Sequence, residues 1–287
     1  MTEPLRATAH AKLNLFLRVL ARESDGYHGI ETLFCRLDLG DTLVVRRTDG
    51  RGVALEVDGF DTGPAEQNLA LRGALAVLEA TGHRFGVHLH LTKRIPVGAG
   101  LGGGSADAAA ALELVNQLAG NVIPRPELMH MGARLGADVP FCLSGASLAL
   151  AWSHGERMMA LPPLPQAPVL LLTPPVPVST ADAYGWLDAA RGAGPRRGAL
   201  CLDGSALAGW SDVARMAGND FESVVFGRLA PVREAFEAMA RTHPLLCRMS
   251  GSGSTIAAVY RNERDRDDAR LALGKKHGVV TPAATAT

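Results

Sequence analysis

The chain has 287 residues, 47% hydrophobic and 20% charged, a globular composition with material for one large or two ordinary domains. Lysine plus arginine and aspartate plus glutamate each total 29, so the formal net charge is zero and neither nucleic acid nor an anionic membrane is the expected partner. Cys35, Cys142, Cys201 and Cys247 are far apart and form no C-x-x-C, which reads as buried free thiols rather than a zinc site or a disulfide framework. Lys12 and Asn14 interrupt the only apolar stretch near the N-terminus, and no apolar run approaches bilayer length. A cytoplasmic protein without a signal peptide is expected.

In chain order, 7-ATAHAKLNLFLRVL-20, 41-DTLVVRR-47 and 51-RGVALEVDG-59 read as strands. Residues 68–82 have helical apolar spacing, with Asn68 at the start and Gly82 at the end. The strict alternation of 87-VHLHLTK-93 predicts a half-buried strand, with His88 and His90 on a solvated face. A helix is predicted from Ser105 to Ala119, stopping at Gly120, and another over 126–136 with proline in its first turn. Strand 146–152 follows. The prolines of 162–184 surround strand 168–173 and suggest an interdomain connection, so the domains divide at 158/159. The Gly-rich 192–205 reads as a mobile loop, 231–242 as a helix, 255–261 as a strand and 281–287 as a disordered tail. Strands and helices do not alternate regularly, so the expected class is α+β rather than a doubly wound sheet.

The stretch 96-PVGAGLGGGSADAAAAL-112 carries the chemistry. Its glycines allow positive φ and remove the Cβ atoms that would hold a ligand off the backbone. A helix beginning directly afterwards presents free N–H groups and the positive end of its dipole, which together suit phosphate. The letters 98-GAGLGG-103 satisfy G-x-G-x-x-G, but Pro96 interrupts the strand ahead and no acidic ribose ligand follows near residue 120, so a dinucleotide loop is not indicated. A Walker A loop would end in Gly-Lys-Ser/Thr, and a protein-kinase glycine loop would lie between two strands.

Pro96-x-x-x-Gly100-Leu101-Gly102-Gly103-Gly104-Ser105-Ala106 resembles the nucleotide loop of the GHMP kinases. Further stretches, 11-AKLNLFL-17 with 25-DGYH-28, 136-GADVPFCL-143 and 249-MSGSGST-255, resemble the branch whose alcohol is a cytidine diphosphate-linked methylerythritol. The likeness runs from about residue 7 to about 261. It implies a two-domain GHMP-kinase-like fold, with a mixed-sheet N-terminal domain and a smaller ferredoxin-like C-terminal domain. It also implies ATP-dependent phosphorylation of a 2-hydroxyl in the non-mevalonate isoprenoid precursor pathway, with Mg²⁺ as companion ion. A monomer or weak homodimer is expected.

Phosphoryl transfer needs a phosphate cradle, a cation, a metal ion and a group that orients or deprotonates the attacking hydroxyl. By the resemblance, ATP is bound by Asn68 and Lys93 together with Pro96, Val97, Gly98, Ala99, Gly100, Leu101, Gly102, Gly103, Gly104, Ser105, Ala106 and Asp107. Ser105 is a candidate for the β-phosphate or Mg²⁺, but no dedicated metal-ligand set is singled out. Taken alone, Lys12 reads as a snorkelling strand lysine and Asp138 as a turn residue. Inside their motifs both take catalytic roles, Asp138 as base and Lys12 as its cationic partner. Lys12 and Asn14 project to one strand face, and Asn14 is expected to touch the alcohol or the phosphate chain. His28 would hydrogen-bond the cytosine and Tyr27 wall it; Tyr184 is either a second wall or a core tyrosine. The Ser250–Ser254 loop would close over the phosphates, brace the first loop, or simply turn. Asn219 and Glu222 read as a helix-capping pair. Ala106 departs from the family's second serine and removes one hydroxyl. Two other readings stay open: a GHMP kinase for galactose, homoserine or mevalonate, and a catalytically silent nucleotide-binding module.

Overall fold

A computed structural model describes residues 3–23, 26–192 and 207–287. These form two compact units: Met1–Ala11, Leu39–Val97 and Gly102–Ala146 in the first, and Lys12–Asp38, Gly98–Leu101 and Ser147–Thr287 in the second. Two long strands, β1 (Leu5–Arg22) and β2 (His28–Thr48), pair with each other and run through both units. The sequence showed only the apolar second half of β2. Its first half is broken by Glu31, Arg36 and Asp38, which hides it from a periodicity test.

In the first unit, Thr42–Thr48 of β2 pairs antiparallel with β4 (Gly86–Lys93), and β3 (Gly52–Gly59) lies parallel on the other side of β4. Four helices complete it: α1 (Leu69–Ala80), α2 (Gly103–Leu118), α3 (Arg125–Leu135) and α4 (Val139–Ser144). Leu43, Val45, Leu89 and Leu91 of the sheet pack with Ala74 and Val77 of α1 and with Ala108, Leu112 and Val115 of α2. The alanine run of α2 lets α1 approach closely. A Cβ at Gly73 would stand 2.9 Å from the Ala108 carbonyl oxygen. Asn68 caps α1 as expected, its Oδ1 accepting from Ala70 N at 2.9 Å. The start of α2 differs from expectation. Gly102, not Ser105, is its N-cap, and the helix takes in Gly103 and Gly104.

In the second unit, β5 (Leu148–Ser153) pairs with Ile30–Cys35 of β2, and β6 (Arg157–Leu161) pairs with β5. A separate antiparallel sheet has the order β10-β7-β9-β8, built from β7 (Pro168–Thr173), β8 (Leu246–Met249), β9 (Ile256–Val259) and β10 (Val279–Ala284). Between β7 and β8 come α5 (Thr180–Arg191), α6 (Trp210–Met216), α7 (Asp220–Arg228) and α8 (Ala230–Ala240), and α9 (Glu263–Leu273) joins β9 to β10. This strand order is ferredoxin-like, and the class is α+β. Leu170, Leu172, Ile256 and Ala258 form a core with Phe221, Val225, Val232 and Met239.

The segment 281–287 is not a disordered tail. It supplies most of β10, and Thr285 exchanges hydrogen bonds with Ala167, accepting at Oγ1 and donating through its N–H, both at 3.0 Å. Terminal position suggested disorder, but the segment is tied down by pairing with β7, and Pro282 is tolerated because β10 is an edge strand, where a missing N–H costs little. The 192–205 loop lies outside the described residues apart from Gly192, as does Cys201. Among the described residues no helix is long and apolar enough to cross a membrane.

Candidate active site

The glycine loop begins where β4 ends. Gly98, Gly100 and Gly102 have φ of +66°, +80° and +69°, a conformation that side chains with a Cβ rarely adopt. Gly100 also has no room, since a Cβ there would sit 2.0 Å from the Ser250 carbonyl oxygen. Within the second unit, residues 98–101 are held on three sides. Lys12 N donates to Leu101 O at 2.9 Å, Ser250 Oγ to Gly100 O at 2.8 Å, and Thr255 N to Ala99 O at 3.3 Å. The Ser250–Ser254 loop therefore braces the first loop, one of the readings open from sequence.

Asn219 holds that second loop. Its Nδ2 donates to Met249 O and Gly251 O at 2.8 and 2.7 Å, while its Oδ1 caps α7 by accepting from Phe221 N. Glu222 is no capping partner of Asn219. Its Oε1 accepts from Met249 N at 2.9 Å, and burial raises its carboxyl pKa against that hydrogen bond.

Gly102 offers α2 no side-chain acceptor, so the N–H groups of Gly103, Gly104 and Ser105, the first of the helix, are available to an anion. Beneath them lies a buried ionic cluster. Lys93 Nζ donates to Asp41 Oδ2 and, at 2.6 Å, to Asp107 Oδ2. Asp41 Oδ1 also accepts from Ile95 N at 2.8 Å and Arg94 N at 2.5 Å. All three side chains are almost wholly buried. Asp107 Oδ1 is buried without a hydrogen-bond partner. Burial pushes the Asp107 carboxyl up to about 7; the Lys93 ammonium opposes this and the Asp41 carboxylate adds to it. Sequence reasoning missed Asp41. The available signal was Lys93, a lysine in an apolar strand that needs a carboxylate.

Asp138 is the N-cap residue of α4 and is half-buried. The turn before it lies against the start of α2, since a Cβ at Gly136 would stand 3.8 Å from Ser105 Oγ. The first unit thus brings the 136–138 turn to the phosphate end of α2.

Lys12 and Asn14 do share one face of β1. Lys12 is buried, its Nζ donating to Asn14 Oδ1 at 2.8 Å and lying 5.3 Å from the centre of the Phe34 ring. Asn14 Nδ2 donates to Thr32 Oγ1 at 2.8 Å, and Thr32 Oγ1 to Phe16 O. This chain fixes the Lys12 ammonium from the strand beside it. Further along the second unit, His28 stacks on Tyr184, with ring centres 5.0 Å apart and planes 19° from parallel. Tyr184 meets Phe221 edge-on, and His28 Nε2 lies 2.7 Å from Asp188 Oδ1. Asp188 was not foreseen, because α5 was not; one turn after Tyr184 on that helix, it shares its face. Tyr27 is 67% exposed and packs beside His154, with ring centres 5.3 Å apart. Asp25 lies outside the described residues.

His88 and His90 lie on a partly exposed strand face, but not without carboxylates. The parallel pairing of β3 with β4 sets Glu56 3.4 Å from His88 and Asp58 2.7 Å from His90.

A glycine loop, a helix mouth with free N–H groups and a carboxylate-bearing turn near that mouth are parts that a small-molecule phosphotransferase needs. Residues 68–146 match the GHMP kinases N terminal domain and residues 201–280 the GHMP kinases C terminal family. The chain is 38% identical to the 4-diphosphocytidyl-2-C-methyl-D-erythritol kinase of Geobacter sulfurreducens, covering 90% of this chain and 91% of the relative. It is 38% identical to the kinase of the same name from Parvibaculum lavamentivorans, covering 96% of both. A crystal structure of 4-(cytidine 5'-diphospho)-2C-methyl-D-erythritol kinase superposes with a TM-score of 0.81 at 32% identity, over 99% of this chain and 100% of the other. Homoserine kinase from Cytophaga hutchinsonii, at 24% identity and TM-score 0.70 over 100% and 96% of the two chains, shares the fold. The chain belongs to the 4-diphosphocytidyl-2-C-methyl-D-erythritol kinase family.

Proposed function

We propose that the chain transfers the γ-phosphoryl group of ATP to the 2-hydroxyl of 4-diphosphocytidyl-2-C-methyl-D-erythritol, with Asp138 as the base. The observation that supports the catalytic part is the closeness of Gly136 to Ser105: a Cβ built on Gly136 would stand 3.8 Å from Ser105 Oγ, which fits a carboxylate-bearing turn near the helix mouth where the ATP phosphates would lie. Asp138 accepts the hydroxyl proton as the oxygen attacks phosphorus, and the bond to the ADP oxygen breaks. Lys12, its ammonium fixed by Asn14, supplies positive charge to the incoming oxygen and the γ-phosphate. Asn14 is also the residue assigned to the alcohol or phosphate chain. Mg²⁺ belongs to this reading and fits a site needing few protein ligands: the Ser105 hydroxyl and phosphate oxygens would hold it, and it would neutralise charge on the β- and γ-phosphates.

The cytosine lies against the His28–Tyr184 stack, with His28 oriented by Asp188 and Tyr27 as an exposed outer wall. The names of the relatives support this alcohol over galactose, homoserine or mevalonate. The polar groups of Asn68 and Lys93 are engaged inside the protein, so both shape the adenine pocket rather than bond the base. A nucleotide domain to residue 158 followed by a C-terminal domain, a cytoplasmic location and a monomer or weak homodimer belong to this reading as well.

The test is ADP release with Mg·ATP and the cytidyl alcohol, on wild type and Asp138→Ala. The expected result is turnover in the wild type and a kcat loss of about 10²–10⁴ in the variant. Turnover only with galactose, homoserine or mevalonate would sink the substrate. Undiminished turnover by Asp138→Ala would put the base elsewhere.

A further inference from the structure

The phosphate loop is tied at both ends to one buried carboxylate that no sequence motif marked. Asp41, at the start of the β2 segment paired with β4, receives the N–H groups of residues 94 and 95, where β4 gives way to the loop. Through Lys93 it is linked to Asp107, which lies just beyond the first turn of α2. Residues 96–102 span the interval between these two anchors. The far end runs close to the cluster, with little room for a side chain between them. A Cβ at Gly103 would lie 3.3 Å from Lys93 Nζ and 3.0 Å from Ile95 Cγ2.

A purely stabilising role explains this arrangement poorly. Removing three charged side chains from water is costly, and buried ion pairs are often matched or bettered by apolar residues of similar volume. One ammonium serves two carboxylates here, and one Asp107 oxygen has no hydrogen bond. What a charged cluster provides and an apolar one does not is a fixed geometry between the elements that supply its members. Those elements are the last residues before the loop and the helix whose N–H groups receive the phosphates.

We propose that Asp41 is a positioning residue for nucleotide binding: with Lys93 and Asp107 it fixes the distance between the end of β4 and the mouth of α2, and so the shape of the loop joining them. Asp41 touches neither substrate nor ATP. This rests on the reading of residues 96–105 as the phosphate cradle. A sub-ångström change in cradle shape then weakens nucleotide binding selectively and leaves the alcohol site alone.

The experiment compares Mg·ADP affinity by calorimetry, and KM for ATP and for the alcohol, in wild type, Asp41→Asn, and Asp41→Asn combined with Lys93→Met. Asp41→Asn keeps an oxygen for the two backbone N–H groups but loses the charge facing Lys93. The double variant removes the ammonium that the single variant leaves on Asp107 alone, lets Asp107 take a proton, and so leaves no charge in the site if the single variant folds poorly. Expected is a rise of about tenfold in Mg·ADP Kd and in KM for ATP in both variants, the scale of one charge-assisted hydrogen bond, with KM for the alcohol unchanged. A lower melting temperature with wild-type nucleotide affinity, or affinity restored in the double variant, would reduce Asp41 to a stability residue. Failure of the wild type itself to bind Mg·ADP would overturn the cradle reading and this inference with it.

Discussion

At Gly100, two constraints that usually occur separately fall on one residue. The φ of +80° disfavours any Cβ, a strain of about 1–3 kcal/mol for a non-glycine residue. The Ser250 carbonyl, 2.0 Å from where that Cβ would stand, must also move. Gly98 carries the first constraint without the second, because its Cβ would meet nothing within 4 Å. Gly98→Ala is therefore expected to weaken ATP turnover modestly. Gly100→Ala should push the two loops apart and lower kcat/KM for ATP by about 100-fold, as misplacement of about 1 Å does elsewhere. Steady-state kinetics on both variants checks this. Equal losses would mean that contact with the second loop adds nothing to the backbone strain. Residues of this kind were legible in sequence, because a run of glycines announces backbone geometry. Asp41 and Asp188 were not. Each acts on a partner far away in the chain, Lys93 and His28, and a single sequence does not reveal which strand or helix will lie beside which.

The elements most easily read were those whose periodicity is not shared with anything else. β4, buried at every other position, matches its prediction within a residue; β7, a continuous apolar run without alternation, was marked instead by the prolines around it and matches its own. The missed elements have physical reasons. α4 is only six residues long and begins with Val-Pro. α5 follows a proline-rich segment, although Ser179, which accepts from Asp182 N, was a legible cap. α9 is so rich in charge that its buried Ala269 and Leu273 hardly form a stripe. Glycines inside helices make the same distinction energetically. Gly73 of α1 faces the Ala108 carbonyl at 2.9 Å, whereas Gly185 of α5 faces open space. Replacing a mid-helix glycine by alanine gains about 1 kcal/mol in propensity. At Gly185 nothing opposes this gain, so Gly185→Ala should stabilise by about 0.5–1 kcal/mol. At Gly73 overpacking costs about 1–3 kcal/mol, so Gly73→Ala should be neutral to destabilising by about 2 kcal/mol. Denaturant unfolding of the two variants decides the matter. A stabilised Gly73→Ala would show that α1 and α2 can separate at little cost.

For the molecule as a whole, Asp107 links folding to pH in a direction opposite to that of most carboxylates. Its carboxyl is pushed up to about 7 in the folded state, mainly by burial, against about 3.9 when the chain is unfolded. Between these values the folded protein holds a proton that the unfolded chain has released. Stability therefore falls as pH rises from about 4 to about 7, and the whole loss is present above pH 7. Other carboxylates titrate in the lower part of that window, so the comparison must isolate one group. Asp107→Asn keeps an oxygen for Lys93 and cannot ionise. The melting temperature of the variant minus that of the wild type should therefore climb from pH 5 to pH 8 and level off beyond. A difference that is flat across that range would mean that Asp107 is already ionised at pH 5, its charge matched by Lys93 more completely than its unpartnered oxygen indicates. A climb would identify the cost this fold carries for keeping two carboxylates on one ammonium behind the helix that receives the phosphates.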